Sequence, residues 1–337
     1  MTDPVLSPPS LSSGPLFGLP LPEVWFALVF ATLAVFLFLD GFDFGVGALF
    51  STRTDPEDRE LFLAAVGPFW DGNEVWLVVF GGALFAAFPG VYASLFSRYY
   101  LLMFAILLAL GLRGLAPEFY EQVDDDRWRR AWGWAFVVGS VAAPFFIGLF
   151  AGDWLVGAEA ILTVPGVVVG LLVVSLTLVE GVAYLTVKLR GPLRAEVSRF
   201  ALPALGAYVG LLVLTVLWIA VVETALRPAL RTPVGVGLVL ASVAFAVAYA
   251  ATMWWERHLA GLVAAAGLDA SLVALVAVLL YPTVDPVTGT TVREAIVPTV
   301  SLNLMTVVAG AVLPFVLVYF VVLYTVFRGP VTAETAY

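Results

Sequence analysis

The chain has 337 residues, 62% of them hydrophobic and 12% charged, with a mean hydropathy of +1.02 and a formal charge of −9. Soluble domains carry about 25% charged residues, so a water-soluble fold cannot cover this much apolar surface, and an acidic balance argues against a nucleic-acid partner. With no cysteine in the chain, disulfides, zinc–thiolate sites, iron–sulfur clusters and thiol nucleophiles are excluded.

If lipid is the solvent, spanning segments must be helices or a closed barrel, because lipid offers the backbone no hydrogen bonds. The apolar runs here are continuous for about 20 residues and do not alternate, which selects helices. Residues 1–23 are rich in Pro, Ser and Gly, lack Lys and Arg, and read as a flexible tail without the basic start of a signal peptide. Nine apolar segments follow, at about 24–48, 61–88, 94–116, 131–151, 160–187, 200–223, 234–254, 260–281 and 299–327. Each is long enough to cross a hydrocarbon core of about 30 Å. The breaks are charged or carry turn residues: Thr52–Glu60 with Pro56, Asp124–Arg130, Lys188–Arg199 with Gly191-Pro192, and Val284–Glu294 with Asp285-Pro286 and Gly289. The fold class is therefore all-α: a polytopic membrane protein of about nine transmembrane helices, one domain over 24–328, with a C-terminal tail at 329–337.

Orientation follows from Lys and Arg in alternate loops. With the N-terminus outside, the inner side holds twelve: Arg53, Arg59, Arg113, Arg127, Arg129, Arg130, Lys188, Arg190, Arg194, Arg199, Arg257 and Arg328. The outer side holds four: Arg98, Arg227, Arg231 and Arg293. The sequence thus predicts N-terminus outside and C-terminus inside.

An acid at the centre of a membrane helix costs about 2.5–3.5 kcal/mol on insertion scales, and two clusters of acids stand out. In the first, Asp40-Gly41-Phe42-Asp43-Phe44-Gly45, the acids are three apart and share a helix face. Gly41 and Gly45, four apart, let another helix approach closely. The second is Trp70-Asp71-Gly72-Asn73-Glu74, preceded by Gly67-Pro68. Entering from Leu61, the chain reaches Asp71 about 15 Å deep, with Glu74 one turn on, and Asn73 can hydrogen-bond the acids. Two acids one turn apart repel unless one is protonated, and a pair sharing a proton suits proton transfer. The competing readings are an interfacial helix cap for Asp40 and Asp43, and a polar lock between helices for Asp71 and Glu74. Glu118 beside Arg113 reads as an interfacial ion pair, Glu180 as a buried acid equally open to a structural or a functional role, and Glu223 as a helix end. His258, the one histidine, reads as an interfacial loop residue. A single His and four Met do not suit a chain carrying several haems alone; if it works in electron transfer, a partner holds the metals. No phosphate loop, nucleotide fingerprint, Ser/His/Asp set or zinc helix motif is present, so neither catalytic residues nor a metal site are assigned to this chain.

The strings Asp40–Leu49 (DGFDFGVGAL), Gly67–Ala93 (GPFWDGNEVWLVVFGGALFAAFPGVYA) and Ser301–Met305 (SLNLM) resemble subunit II of the cytochrome bd quinol oxidases, including the cyanide-insensitive oxidases. The likeness in organisation covers nearly the whole chain; about 150–290 matches in hydropathy alone. The resemblance implies a heterodimer in a prokaryotic plasma membrane. Its subunit I partner carries haem b, haem d and the quinol site, and subunit II binds no haem. An accessory small subunit is left open. It implies oxidation of quinol, reduction of oxygen to water, and a proton route from the cytoplasm through Asp40, Asp43 and Asp71. It also implies that Trp70 and Asp71 border a bound quinone or lipid. Some relatives have glutamine at Glu74, which would tune the route rather than form it. A proton-coupled secondary transporter is the alternative, since paired intramembrane acids and glycine-broken helices suit both.

Overall fold

Proline, glycine and clustered charge set where the helices stop. In the computed structural model, which describes residues 14–331, a short turn at Leu16–Gly18 leads into α1 (Leu21–Phe50). Then come α2 (Pro56–Val66), α3 (Trp70–Ala87), α4 (Pro89–Arg98), α5 (Tyr100–Gln122), α6 (Asp126–Val156) and α7 (Val164–Lys188). The second half holds α8 (Gly191–Ser198), α9 (Ala201–Val221), α10 (Arg227–Leu230), α11 (Pro233–Trp254) and α12 (His258–Leu280). A hairpin of β1 (Thr283–Asp285) and β2 (Thr290–Thr291), then α13 (Val292–Ala295) and α14 (Thr299–Val326), complete it. Side chains cap several starts: Asp125 accepts from the amides of Arg127 and Trp128, Thr163 from Gly166 and Thr232 from Gly235. Gly157 ends α6 at φ 64°, a left-handed turn that suits glycine.

The chain is a multi-pass helical membrane protein. Among the described residues, eight helices are long and apolar enough to cross a membrane: α1, α5, α6, α7, α8 joined to α9, α11, α12 and α14. The sequence expectation of one helix over 61–88 is corrected. Gly67 and Pro68 separate α2 from α3, and α3 is not among the eight because its first five residues include Asp71, Asn73 and Glu74. His258 is not in a loop but opens α12. The tail boundary also moves: Leu21 to Glu23 already lie in α1, and Asn303 holds the approach to it, accepting from the Leu16 amide at 2.9 Å and donating to Gly14 O at 2.8 Å. Residues 1–13 of the expected N-terminal tail and 332–337 of the C-terminal one lie outside the described residues.

α1 and α7 form the centre, flanked by α3, α6, α9 and α12. They touch backbone to backbone: a Cβ on Gly45 would stand 1.9 Å from the Thr177 carbonyl oxygen and 2.7 Å from Gly181 Cα. The apolar interior divides into two clusters. One is built on the first half of α1, the second half of α3 and the end of α12; the other on the end of α1, α2, and the cores of α7 and α9. Asp40, Asn73 and Arg113 lie at the seam between them, so the polar groups form a layer across the bundle.

Candidate functional site

Arg113, 13 residues after Tyr100 at the start of α5, reaches into that seam and is 2% exposed. One nitrogen, Nη2, lies 2.8 Å from Asp40 Oδ1 of α1 and 2.8 Å from Glu74 Oε2 of α3. The guanidinium carbon lies 4.9 Å from the Phe44 ring centroid and 5.7 Å from that of Trp70. Trp70 in turn packs on α5, where the room beside Gly114 admits it. Arg113 thus ties three helices, and aromatic faces shield it from solvent.

Asp43, one turn after Asp40, is held differently. Asn73 Nδ2 donates to Asp43 Oδ2 at 2.9 Å and to Leu39 O at 3.0 Å, and the Tyr324 hydroxyl of α14 donates to Asn73 Oδ1 at 2.8 Å. Tyr324 is stacked on Phe69 at 4.6 Å, at the break between α2 and α3, and Lys188 Nζ lies 4.8 Å from the same ring. The break therefore sets the angle at which Asn73 and Glu74 enter the seam. Asp43 Oδ1 is buried without a hydrogen-bond partner.

The structure brings together Asp40 and Glu74 through Arg113, and Asp43 through Asn73. It does not bring Asp71 to them. Asp71 is exposed on the outward face of α3, in a groove of about 420 Å³ whose walls include Trp70, Glu74, Gly111, Gly114 and Glu118. Glu74 bridges the two settings: its carboxylate is paired with Arg113, yet its side chain is 30% exposed toward the groove. Gly41 and Gly45 lie against α7.

One competing reading and one expectation are corrected. Asp40 and Asp43 do not cap the end of α1, which continues to Phe50. Arg113 and Glu118 are not an interfacial pair: at about 100° per residue, a spacing of five puts them on faces about 140° apart, so Arg113 turns inward and Glu118 is exposed. With Arg113 inside the bundle, the inner loops hold eleven basic residues, not twelve. Sequence reasoning also missed Asp269, a lone acid midway along the apolar α12 and 1% exposed; its position alone was the available signal. On the other end of the bundle, Asp285 accepts from Ser94 at 2.7 Å and from Arg98 at 3.0 and 3.2 Å. Burial alone would raise its carboxyl, but these donors hold it below the ordinary range.

Comparison with known proteins gives a consistent picture. The family model described as cytochrome bd terminal oxidase subunit II matches residues 21–327. A Bacillus subtilis (strain 168) protein named cytochrome bd ubiquinol oxidase subunit 2 is 33% identical over 334 residues, 93% of this chain and 97% of the relative. The cytochrome bd-I ubiquinol oxidase subunit 2 of Escherichia coli (strain K12) is 35% identical over 188 residues, 50% of this chain and 49% of the relative. Among solved structures, a chain of the bd oxidase from Geobacillus thermodenitrificans superposes with a TM-score of 0.74 at 14% identity, covering 91% of this chain and 98% of that one. That likeness carries the fold.

Proposed function

The chain belongs to the cytochrome bd terminal oxidase subunit II family, and from that premise we propose that it is the haem-free subunit of a quinol:oxygen oxidoreductase, holding subunit I and passing cytoplasmic protons toward it. The observation that carries this reading is the Arg113 clamp with its outlet: Asp40 buried inside, Glu74 at the wall, Asp71 on the outward face.

Charge counting supports it. Asp40, Asp43 and Glu74 surround one guanidinium, so full ionisation would leave two uncompensated charges in a low dielectric. At least one proton therefore resides in the cluster, and a resident proton with several near-equivalent oxygens can move between them. Asp40 and Asp43 hold it inside, Glu74 passes it to the wall, and Asp71 receives it there. Arg113 fixes the geometry and keeps Asp40 and Glu74 within reach of each other.

The outward face points to the partner. Asp71 stands among exposed Val75, Val78 and Leu115, a setting hydrocarbon cannot solvate, so a polar surface of subunit I covers it. In that arrangement α3, about 27 Å long, is the ninth crossing, the N-terminus lies outside and the C-terminus inside, and the membrane is the prokaryotic plasma membrane. The oxygen chemistry belongs to haem b and haem d in subunit I. The donor set here does not fit a haem: the single histidine opens α12 beside Glu256 and Arg257, at a helix end. The Trp70–Asp71 side of the groove is the place for a quinone or lipid. Family membership sets aside the transporter alternative.

A reduced-minus-oxidised visible spectrum tests the assembly, taken on the chain alone and on what co-purifies from its native membrane. Haem bands that appear only with a second large membrane subunit are expected. Absence of haem from both preparations, with the chain stable alone, would overturn the proposal.

A further inference from the structure

A second set of buried polar atoms lies beside the first and has no role in it. Glu180 of α7 is 0% exposed and Asp269 of α12 is 1% exposed. Both Glu180 oxygens and Asp269 Oδ1 lack a hydrogen-bond partner, as do the hydroxyls of Tyr208 on α9 and Ser242 on α11. Tyr208 lies close enough to Ser242, Asp269 and Glu180 to interact with each. Tyr249 of α11 also senses Glu180 and donates to Val179 O at 3.1 Å. Four helices thus direct unsatisfied polar atoms to one place inside the bundle.

This set contrasts with the Arg113 cluster in one respect: among the described residues, no Lys or Arg faces it. The groups facing Glu180 are Asp269 from α12, Tyr208 from α9, Tyr249 from α11 and, from α1, the backbone at Gly41 next to Asp40. Two ionised carboxylates with no counter-charge cannot persist in a low dielectric. Either protons or a bound cation neutralise them. The packing favours protons. Glu180 Oε2 lies 2.1 Å from where a Cβ of Gly41 would stand, so the carboxyl is pressed against α1 and has no space on that side for a coordination shell. A protonated carboxyl, by contrast, needs one acceptor for its O–H, and the neighbouring carboxyl and hydroxyl oxygens supply several.

The same contact sets the pair next to the first cluster. Glu180 sits eight residues before the end of α7 and Asp40 ten before the end of α1, about 12 Å and 15 Å along the helices, and the Glu180 carboxyl meets α1 at Gly41, the residue that follows Asp40. We propose that Glu180 and Asp269 form a second proton-holding site, a carboxyl pair neutralised by protons, which exchanges with Asp40 across the notch at Gly41. The exchange breaks an O–H bond on Glu180 and forms one on Asp40, so charge moves as a proton and no redox partner is involved. The exchange rests on the proton-delivery reading above; the occupancy of the pair does not.

Infrared spectra of the complex purified in mild detergent, recorded in H2O and D2O, read the occupancy directly without turnover. Bands of protonated carboxyl C=O, shifted by D2O, are expected to diminish in both Glu180→Gln and Asp269→Asn. Gly41→Ala, which drives a methyl into the Glu180 carboxyl, is expected to shift the band that Glu180→Gln removes. Spectra unchanged in both acid variants would overturn the site, and bands that appear only when sodium is withdrawn would replace it with a cation site. Quinol oxidase turnover reads the exchange: a few-fold loss in Glu180→Gln is expected, and wild-type turnover with the band lost would overturn it. Wild-type turnover in Asp40→Asn would instead sink the delivery reading and leave the infrared result standing.

Discussion

Removing the Arg113 guanidinium would strand Asp40 and Glu74 without a counter-charge. Taking one partner from a buried pair costs roughly 3–5 kcal/mol, so Arg113→Met is expected to lower the stability of the complex by about that much. Adding Asp40→Asn removes one stranded charge, and the double variant is expected to recover part of the loss. Thermal unfolding in detergent measures both; a double variant whose loss is the simple sum of the singles would show that the pair is not coupled. At this scale the sequence revealed acids better than their partners. Asp40, Asp43, Asp71 and Glu74 stand out because a charge in an apolar run is costly wherever it points. Arg113 did not, because its role depends on a helix rotation that places it opposite Asp40, and a nearby Glu118 offered a local explanation. Glu180 was visible as a buried acid; its relation to Asp269, 89 positions later, is purely tertiary.

Between elements, the contact of α1 with α7 leaves no room for a side chain. Gly45→Val would force the backbones apart, and overpacking of this kind costs about 1–3 kcal/mol. Gly210→Ala on α9, where a Cβ meets open space, is the matched control and is expected to be neutral or slightly stabilising. Equal losses of melting temperature in the two would contradict the close contact. At the hairpin, Asp285 clips β1 to α4 through Arg98 and Ser94. Its carboxyl lies below the ordinary value in the folded chain, so its contribution is complete above about pH 3.9 and is lost as pH falls through the lower folded value. Asp285→Asn is therefore expected to lower the melting temperature near neutral pH and to differ less from wild type as acid is added; a gap that widens in acid would reverse the assignment. The glycine spacing at 41 and 45 was readable from the chain. The break of α2 from α3 was readable only as weakened backbone at Gly67-Pro68, because hydropathy runs on smoothly through it and the packing of Phe69 against Tyr324 and Lys188 is what fixes the bend.

For the whole molecule, two surfaces look different. α7 is enclosed on nearly all sides, whereas of α14 only Leu302 and Asn303 are buried, and the outward face of α3 and α5 carries Asp71 within an apolar field. The membrane-spanning character was legible in composition and the helical one in the continuous apolar runs, since backbone satisfaction in lipid admits few alternatives. The partner proposed for this face was legible only through resemblance, because an acid in an apolar run is recognised as exposed only once the bundle is assembled. If a subunit I surface covers that face, Asp71→Asn is expected to slow quinol oxidation while leaving the haem spectrum of the complex in place; loss of haem with loss of turnover would make Asp71 an assembly residue instead. If buried acids of this chain supply protons to the partner, proton uptake during oxygen pulses responds to Asp40→Asn in the intact complex, reconstituted into vesicles. Uptake and turnover slowed by roughly tenfold or more, most strongly at high pH, with haem content unchanged, are expected; uptake at the wild-type rate would rule out delivery through Asp40.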